Sequence, residues 1–134
     1  MTRLTEIEGI GQVYQDKLQG FGIRTLEDLL EQGKDRRGRE RISERTGISP
    51  KLILEWVNLA DLFRIKGVGE EYADLLEEAG VDSVPELAQR NPENLHKALV
   101  EINEQKDLVR RTPSLDQVKE WVNHAKELPR VVEH

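Results

Sequence analysis

Apolar residues recur along the chain at three- and four-residue spacing, and no segment shows the sustained alternation of a strand. One broad apolar stripe follows Ser49-Pro50, a cap residue with proline at the first helical position. Its members are Leu52, Ile53, Trp56, Val57, Leu59, Ala60 and Phe63. A similar stripe follows Ser114 and comprises Leu115, Val118, Trp121 and Val122. The pattern predicts an all-α fold.

Turn and cap residues divide this pattern into short helices. In the first half, the helix after Gly11 should end at Gly20-Phe21-Gly22, and Thr25 should open a helix that runs to about Glu31. A charged helix is predicted over residues 37–45, with Gly47 as its C-terminal cap. In the second half, we predict a helix over residues 70–79 and further helices that begin at Ser83, Asn91-Pro92 and Ser114.

The chain contains an internal repeat. Ile7-Glu8-Gly9-Ile10-Gly11 recurs 58 residues later as Ile65-Lys66-Gly67-Val68-Gly69, and we name these segments the first and the second glycine turn. Near the end of each copy the offset is 65, where Glu55-Trp56-Val57-Asn58 matches Glu120-Trp121-Val122-Asn123, so the second copy has seven extra residues. We therefore predict two tandem units of four to five helices, residues 1–64 and 65–134, with each tryptophan as a core anchor.

Composition narrows the class of protein. With 37% hydrophobic, 34% charged and 4% aromatic residues, the core is lean, and two such small units should pack together. The chain has no cysteine, which excludes disulfides and thiolate metal sites. It shows neither an apolar run of roughly 18 residues nor a signal peptide, so we expect a cytoplasmic protein with no membrane contact.

Catalytic chemistry finds no support in the pattern. The three histidines are scattered and have no metal-ligating neighbours. Motifs for a phosphate loop, a nucleophile elbow or a zinc protease are missing. We expect no catalytic residue, no metal and no cofactor, and therefore a protein that is not an enzyme.

The glycine turns carry the most specific chemistry. Glycine permits a reversal that a side chain would block, and the turn leaves unpaired N–H groups at the start of the next helix. Together with the positive end of the helix dipole, those donors can cradle a phosphate.

The order Ile-x-Gly-(Ile/Val)-Gly, small helix, Gly-(Ile/Val) and Leu-bearing helix resembles the helix-hairpin-helix motif. It is similar to the tandem hairpins of bacterial DNA ligases, Holliday-junction branch-migration proteins and the N-terminal domains of DNA-repair recombinases. The resemblance covers residues 4–33 and 62–91, and the whole layout is similar to a bacterial family of unknown function built from such repeats. It implies SAM-like helical units that bind the nucleic-acid backbone without sequence preference. By position, the implied contacts are Gly9, Ile10, Gly11 and Gln12 in the first turn, and Gly67, Val68, Gly69 and Glu70 in the second.

The two turns differ in the residues that come after them. Glu70 and Glu71 after the second turn repel a phosphate, which favours a structural role there, although Lys66, Gly67 and Gly69 remain candidate contacts. The first turn has Lys17 and Arg24 nearby in sequence. For that turn phosphate contact and a purely structural role both stay open.

Residues 34–41, which we name the basic segment, are the most positively charged stretch. Their cations could follow a phosphate backbone, each contact contributing through counterion release. The alternative is a solvated helix face with ion pairs such as Arg36–Glu40. Three cations inside the insertion, at positions 106, 110 and 111, are predicted to lie in a loop with a role in solubility. The candidate contacts in the basic segment are Lys34, Arg36, Arg37, Arg39 and Arg41.

Charge separates two functional hypotheses. Residues 1–64 hold 11 basic and 11 acidic residues, whereas residues 65–134 hold 9 and 15 and so carry the whole net charge of −6. The leading hypothesis is a non-catalytic module in which the first half binds nucleic-acid backbone, without base specificity. The alternative is a protein-interaction or scaffolding module in which the turns are purely structural and the acidic half meets a basic partner.

Overall fold

A computed structural model describes residues 2–134, whose regular structure is helical. The predicted all-α fold is confirmed, since the only strand-like pairing within those residues is one isolated bridge between Arg3 and Thr25. None of the helices in this range is long and apolar enough to span a membrane. In chain order the elements are one turn of 3-10 helix (Leu4–Glu6), α1 (Gln12–Gly20), α2 (Leu26–Gly33), α3 (Arg36–Thr46), α4 (Pro50–Leu62), α5 (Glu70–Glu78), α6 (Val84–Ala88), α7 (Pro92–Lys106) and α8 (Leu115–Glu127).

Side chains cap most helices where the sequence predicts a helix start. Thr25 accepts a hydrogen bond from the Asp28 N–H group, and the Asp28 carboxylate accepts one from Thr25 N–H in return. Ser114 and Gln117 form the same reciprocal pair at the start of α8. Gly47 ends α3 in the left-handed conformation, with φ +75°. The other capping side chains are those of Asp35, Ser49, Ser83 and Asn91.

The chain divides into two compact units. The first runs to Asp61 and includes Val131–His134, and the second is Leu62–Arg130. In the first unit α3 packs against α1 and α2. In the second, α8 packs against α6 and α7, and α7 packs against α5.

Residues 131–134, which we name the C-terminal strap, were predicted in the second unit but join the first. The Glu133 N–H group donates to the Lys34 carbonyl at 2.7 Å, and the Arg39 guanidinium donates to the Glu133 carbonyl at 2.8 Å. Val132 is buried, and His134 Nε2 lies 3.0 Å from the Asn58 side-chain oxygen. The observed units therefore differ from the predicted residues 1–64 and 65–134 in two ways. The strap belongs to the first unit, and the boundary lies three residues earlier.

The insertion of the second copy forms a longer α7 and an anchored loop after it. Asp107 adopts a left-handed conformation with φ +49° and ends α7. The Asn103 side chain then forms two hydrogen bonds with the backbone of Val109, at 2.9 and 3.1 Å. The Tyr72 hydroxyl donates to the Arg111 carbonyl at 3.0 Å. The loop is therefore held on both sides of Arg110.

Candidate functional site

The first glycine turn folds around two buried isoleucines. Ile7 and Ile10 are buried, and the Ile10 N–H group donates to the Ile7 carbonyl at 3.1 Å. Gly9 between them has φ +98°, a left-handed conformation that residues with a β-carbon rarely adopt. The turn itself therefore requires Gly9. Ile10 already uses the N–H group that the resemblance assigned to a phosphate.

Gly11 occupies a position that the backbone does not reserve for glycine. Its φ of −89° and ψ of −169° are extended, and a β-carbon added there would meet no atom within 4 Å. Gly11 is the N-cap of α1 and has no side chain to accept a hydrogen bond from the first turn. The first backbone hydrogen bond of the helix runs from Gln15 N–H to the Gly11 carbonyl. The main-chain N–H group of Gln12 thus lies at an uncapped helix end.

The second glycine turn likewise contains one glycine with a positive φ and one extended glycine at the N-cap. Gly67 has φ +90°, whereas Gly69 is extended at φ −106° and has no atom within 4 Å of an added β-carbon. Gly69 is the N-cap of α5 and likewise provides no capping side chain. Among the eight α-helices of residues 2–134, α1 and α5 are the two that begin without a capping side chain.

Each turn lies against a tryptophan, and the prediction that these residues are core anchors is confirmed. Trp56 and Trp121 are each 2% exposed. Trp56 Nε1 would lie 3.9 Å from a β-carbon on Gly9, and Trp121 Nε1 would lie 3.2 Å from one on Gly67. The ring of the tyrosine that follows each turn, Tyr14 or Tyr72, has its centroid 5.1 Å from that of the tryptophan. The aromatic pair fixes the turn on its unit.

Cations from two helices of the first unit meet at the C-terminal end of α1. Lys17 is exposed on α1, and its ammonium lies 5.9 Å from the centroid of the Tyr14 ring. Lys17 also lines a depression of about 310 Å³ together with Arg45 from the end of α3. Arg45 was not among the predicted site residues, because positions 17 and 45 meet only through the packing of α1 on α3. Arg24 is exposed before α2, and its backbone N–H group donates to Asp28.

The basic segment does not present all its cations to solvent. Arg37 and Arg41 are exposed, and Arg36 is exposed while it pairs with Glu40 at 3.5 Å, as the alternative interpretation predicted. Lys34 donates to Glu31 at 2.9 Å, and this hydrogen bond raises the pKa of the Lys34 ammonium above its ordinary value. The surface of α3 therefore offers fewer free cations than the sequence suggests.

Arg39 is buried, with 5% of its surface exposed. Its guanidinium donates to the Gly33 carbonyl at 2.9 Å and to the Glu133 carbonyl at 2.8 Å. Burial lowers the pKa of Arg39, an effect that nearby Asp35 opposes. Because Arg39 is satisfied within the protein, and the Ile10 N–H group already donates to Ile7, neither group is available to a phosphate.

The insertion brings two arginines to the second turn. Arg110 and Arg111 are exposed and line a depression of about 400 Å³ together with Gly67, Gly69 and the two glutamates that begin α5. The loop was predicted to serve solubility, and its proximity to the turn was missed. The seven extra residues of the second copy were the available signal, but the repeat pattern does not say where they fold.

A family model matches most of the chain. Residues 8–128 match the family described as a domain of unknown function, DUF4332. The chain belongs to this family. No solved structure matches it.

Within this DUF4332 chain, eleven of the predicted site residues separate into three groups. The main chain at Gly11 and Gln12 forms the start of α1, Lys17 lies in the last turn of that helix, and the exposed Arg37 and Arg41 lie on α3. Residues of the second turn, namely Lys66, Gly67 and Gly69, belong to the other unit. Gly9, Ile10 and Arg39 serve the structure of the first unit.

Proposed function

We propose that this protein is a non-catalytic module that binds nucleic-acid backbone without sequence preference, through the first glycine turn. The observation that supports it most is Gly11. Neither its dihedral angles nor its neighbours require a glycine there, yet the absence of a side chain leaves the start of α1 open to close approach. An uncapped helix start with bare N–H groups is a favourable site for a phosphate oxygen.

The charge of the first unit supports the same function. Lys17 and Arg45 line one depression, and Arg37 and Arg41 are exposed on α3, which packs against α1. Contacts of this kind gain affinity from the release of counterions, so binding should weaken as salt increases. Main-chain donors read no base edge, which accounts for the absence of sequence preference in this proposal. We include in this proposal that the two glycine turns are helix-hairpin-helix motifs.

The test is a fluorescence anisotropy titration with labelled duplex and single-stranded DNA, at several salt concentrations. In the variant Gly11→Ala, the methyl group occupies the space through which a phosphate would reach the α1 N–H groups. We expect affinity to fall about tenfold, the equivalent of one hydrogen bond to a charged group. The free energy of unfolding in urea should stay within about 0.5 kcal/mol of the parent value, since no neighbour is displaced.

Gly69→Ala is the matched control. Gly69 holds the same N-cap position in the second unit, is exposed and also has no atom within 4 Å of an added β-carbon, but it precedes two glutamates that repel a phosphate. We expect this variant to bind DNA within about twofold of the parent protein. Full affinity in Gly11→Ala would contradict the assignment of the turn. No binding by the parent protein at about 20–50 mM salt would contradict the function itself.

A further inference from the structure

The second unit carries an open depression of about 570 Å³ that borders the second glycine turn. Its lining includes Lys66 and Gly67 from the turn and six residues from α8, among them Glu120, Trp121, His124 and Glu127. The residues differ from those that carry the proposed function, all of which belong to the first unit. The depression is therefore a candidate for a separate binding site.

The indole of Trp121 places a hydrogen-bond donor at the wall of the depression. The residue is 2% exposed, and its Nε1–H group donates to no acceptor within residues 2–134. No fully buried side-chain nitrogen or oxygen in that range lacks a partner, so Nε1 lies at the small exposed part of the residue. It points towards Gly67, 3.2 Å from where a β-carbon would stand. A donor in such a position is satisfied by an acceptor oxygen from outside.

His124 adds a second donor. The Lys66 N–H group donates to His124 Nδ1 at 3.1 Å. Because Nδ1 accepts this hydrogen bond, the neutral ring carries its proton on Nε2. The side chain thus contributes an N–H group, and with Trp121 it gives the depression two donors on neighbouring turns of α8.

The first copy of the repeat has only part of this polar face. At the offset of 65, His124 corresponds to Leu59 and Glu127 corresponds to Leu62, and both leucines are buried. The fold of the repeat therefore accepts apolar residues at these positions. His124 and Glu127 are therefore specific to the second copy, whereas Glu120 and Trp121 have counterparts in Glu55 and Trp56.

The carboxylates select the charge of the ligand. Glu120 and Glu127 are exposed and form no ion pair within the described part of the chain. They lie two helical turns apart, about 10 Å along α8. Lys66 is the single cation of the depression, so the carboxylates outnumber it two to one. A phosphate would be repelled here, whereas a group with separated positive charges would be attracted.

We propose that this depression binds an arginine- or lysine-containing peptide segment of a partner protein. A main-chain carbonyl of the peptide accepts the Trp121 and His124 hydrogen bonds, and its cationic side chains pair with Glu120 and Glu127. The single ligand satisfies both the donors and the carboxylates, which neither a simple anion nor a simple cation does. This inference does not depend on nucleic-acid binding by the first unit.

The test monitors the indole N–H signals of the ¹⁵N-labelled protein, of which there are two because the chain has two tryptophans. Trp56→Phe removes one signal and so assigns both. The probe is the peptide acetyl-Gly-Arg-Gly-Arg-Gly-amide. The comparisons are the same peptide with glutamate in place of both arginines, and inorganic phosphate. We expect the arginine peptide to shift the Trp121 signal saturably and to leave the Trp56 signal in place. A Trp121 signal that does not move overturns the proposal.

Two sets of variants locate the charge. Glu120→Gln with Glu127→Gln should weaken peptide binding about fivefold or more, whereas Glu101→Gln with Glu104→Gln, an equal charge change on exposed positions of α7, should change it less than twofold. Equal losses in both pairs would overturn the proposal. Lys66→Ala should tighten peptide binding, since it removes a like charge. A phosphate that shifts the Trp121 signal and binds more weakly to Lys66→Ala would show an anion site instead.

Discussion

At the scale of single residues, glycines and arginines of this protein have different roles that depend on their backbone conformation and burial. Gly9 and Gly67 are needed for their positive φ, whereas Gly11 and Gly69 are extended and unobstructed. Within the basic segment, Arg39 is buried and hydrogen-bonded, whereas the other three arginines are exposed. Residue type alone therefore does not assign a role to any of these positions.

Arg39 gives a residue-scale prediction about stability. Arg39→Ala leaves the Gly33 and Glu133 carbonyls without their donor, so we expect the free energy of unfolding to fall by about 2 kcal/mol or more. Arg37→Ala, which removes an exposed cation from the same helix, should change it by less than about 0.5 kcal/mol. Urea unfolding measures both. Similar values for the two variants would mean that the buried hydrogen bonds contribute nothing.

Sequence reasoning predicted the local features of these residues well. Thr25, Ser83 and Ser114 were predicted to begin helices from short-range capping chemistry, and each caps its helix. The tryptophans were predicted as anchors from their position on apolar stripes, and both are buried. Such signals involve only neighbours a few residues away, which makes them readable from the chain.

The residues that sequence reasoning misplaced depend on distant partners. Arg39 is buried because the C-terminal strap, 94 residues later, offers it a carbonyl. Arg110 reaches the second glycine turn because Tyr72 and Asn103 hold the insertion loop. No periodicity in the chain encodes these long-range hydrogen bonds, so the free cations were overcounted near α3 and overlooked near α5.

At the scale of elements, the C-terminal strap is an extended segment that completes the first unit. Its backbone bonds with the segment between α2 and α3, through Glu133 N–H and the Lys34 carbonyl at 2.7 Å. The Arg39 side chain closes the same contact from α3. The strap thus connects the end of the chain to the start of the basic segment, and its loss should loosen the beginning of α3.

Proline at position 133 tests this element. Glu133→Pro removes the N–H group that binds the Lys34 carbonyl, and we expect a loss of about 1–2 kcal/mol, equivalent to a Tm lower by roughly 3–6 °C. Glu133→Ala keeps the N–H group and removes only an exposed side chain, so its Tm should stay within about 1 °C of the parent protein. Thermal unfolding measured by circular dichroism compares the two. Equal Tm values for the two variants would mean that the hydrogen bond from Glu133 N–H does not stabilise the first unit.

At the scale of the whole molecule, charge is unevenly distributed between the two copies. Residues 1–64 are balanced at 11 basic and 11 acidic residues, and residues 65–134 carry 9 and 15. A polyanion should therefore prefer the first half, and a polycation the second. The two proposals use opposite halves for this reason, and one protein could bring a nucleic acid and a basic protein segment together.

Reversing charge in one half at a time tests this distribution. Arg37→Glu with Arg41→Glu changes two exposed cations on α3, and Lys97→Glu with Lys126→Glu makes the same change in net charge on the second unit. At about 50 mM salt we expect the α3 pair to lower DNA affinity roughly tenfold and the control pair less than about threefold, because a phosphate contact needs proximity as well as charge.

The salt dependence of the same variants gives a second readout. Each phosphate contact adds about 0.9 to the slope of log affinity against log salt on duplex DNA, so Arg37→Glu with Arg41→Glu should reduce the slope by up to about 1.8. The control pair should leave the slope unchanged, since residues 97 and 126 would touch no phosphate. Equal effects of the two pairs on affinity and slope would mean that DNA responds to net charge alone. The assignment of nucleic-acid binding to the first unit would then be wrong. Peptide binding at α8 is tested independently of this result.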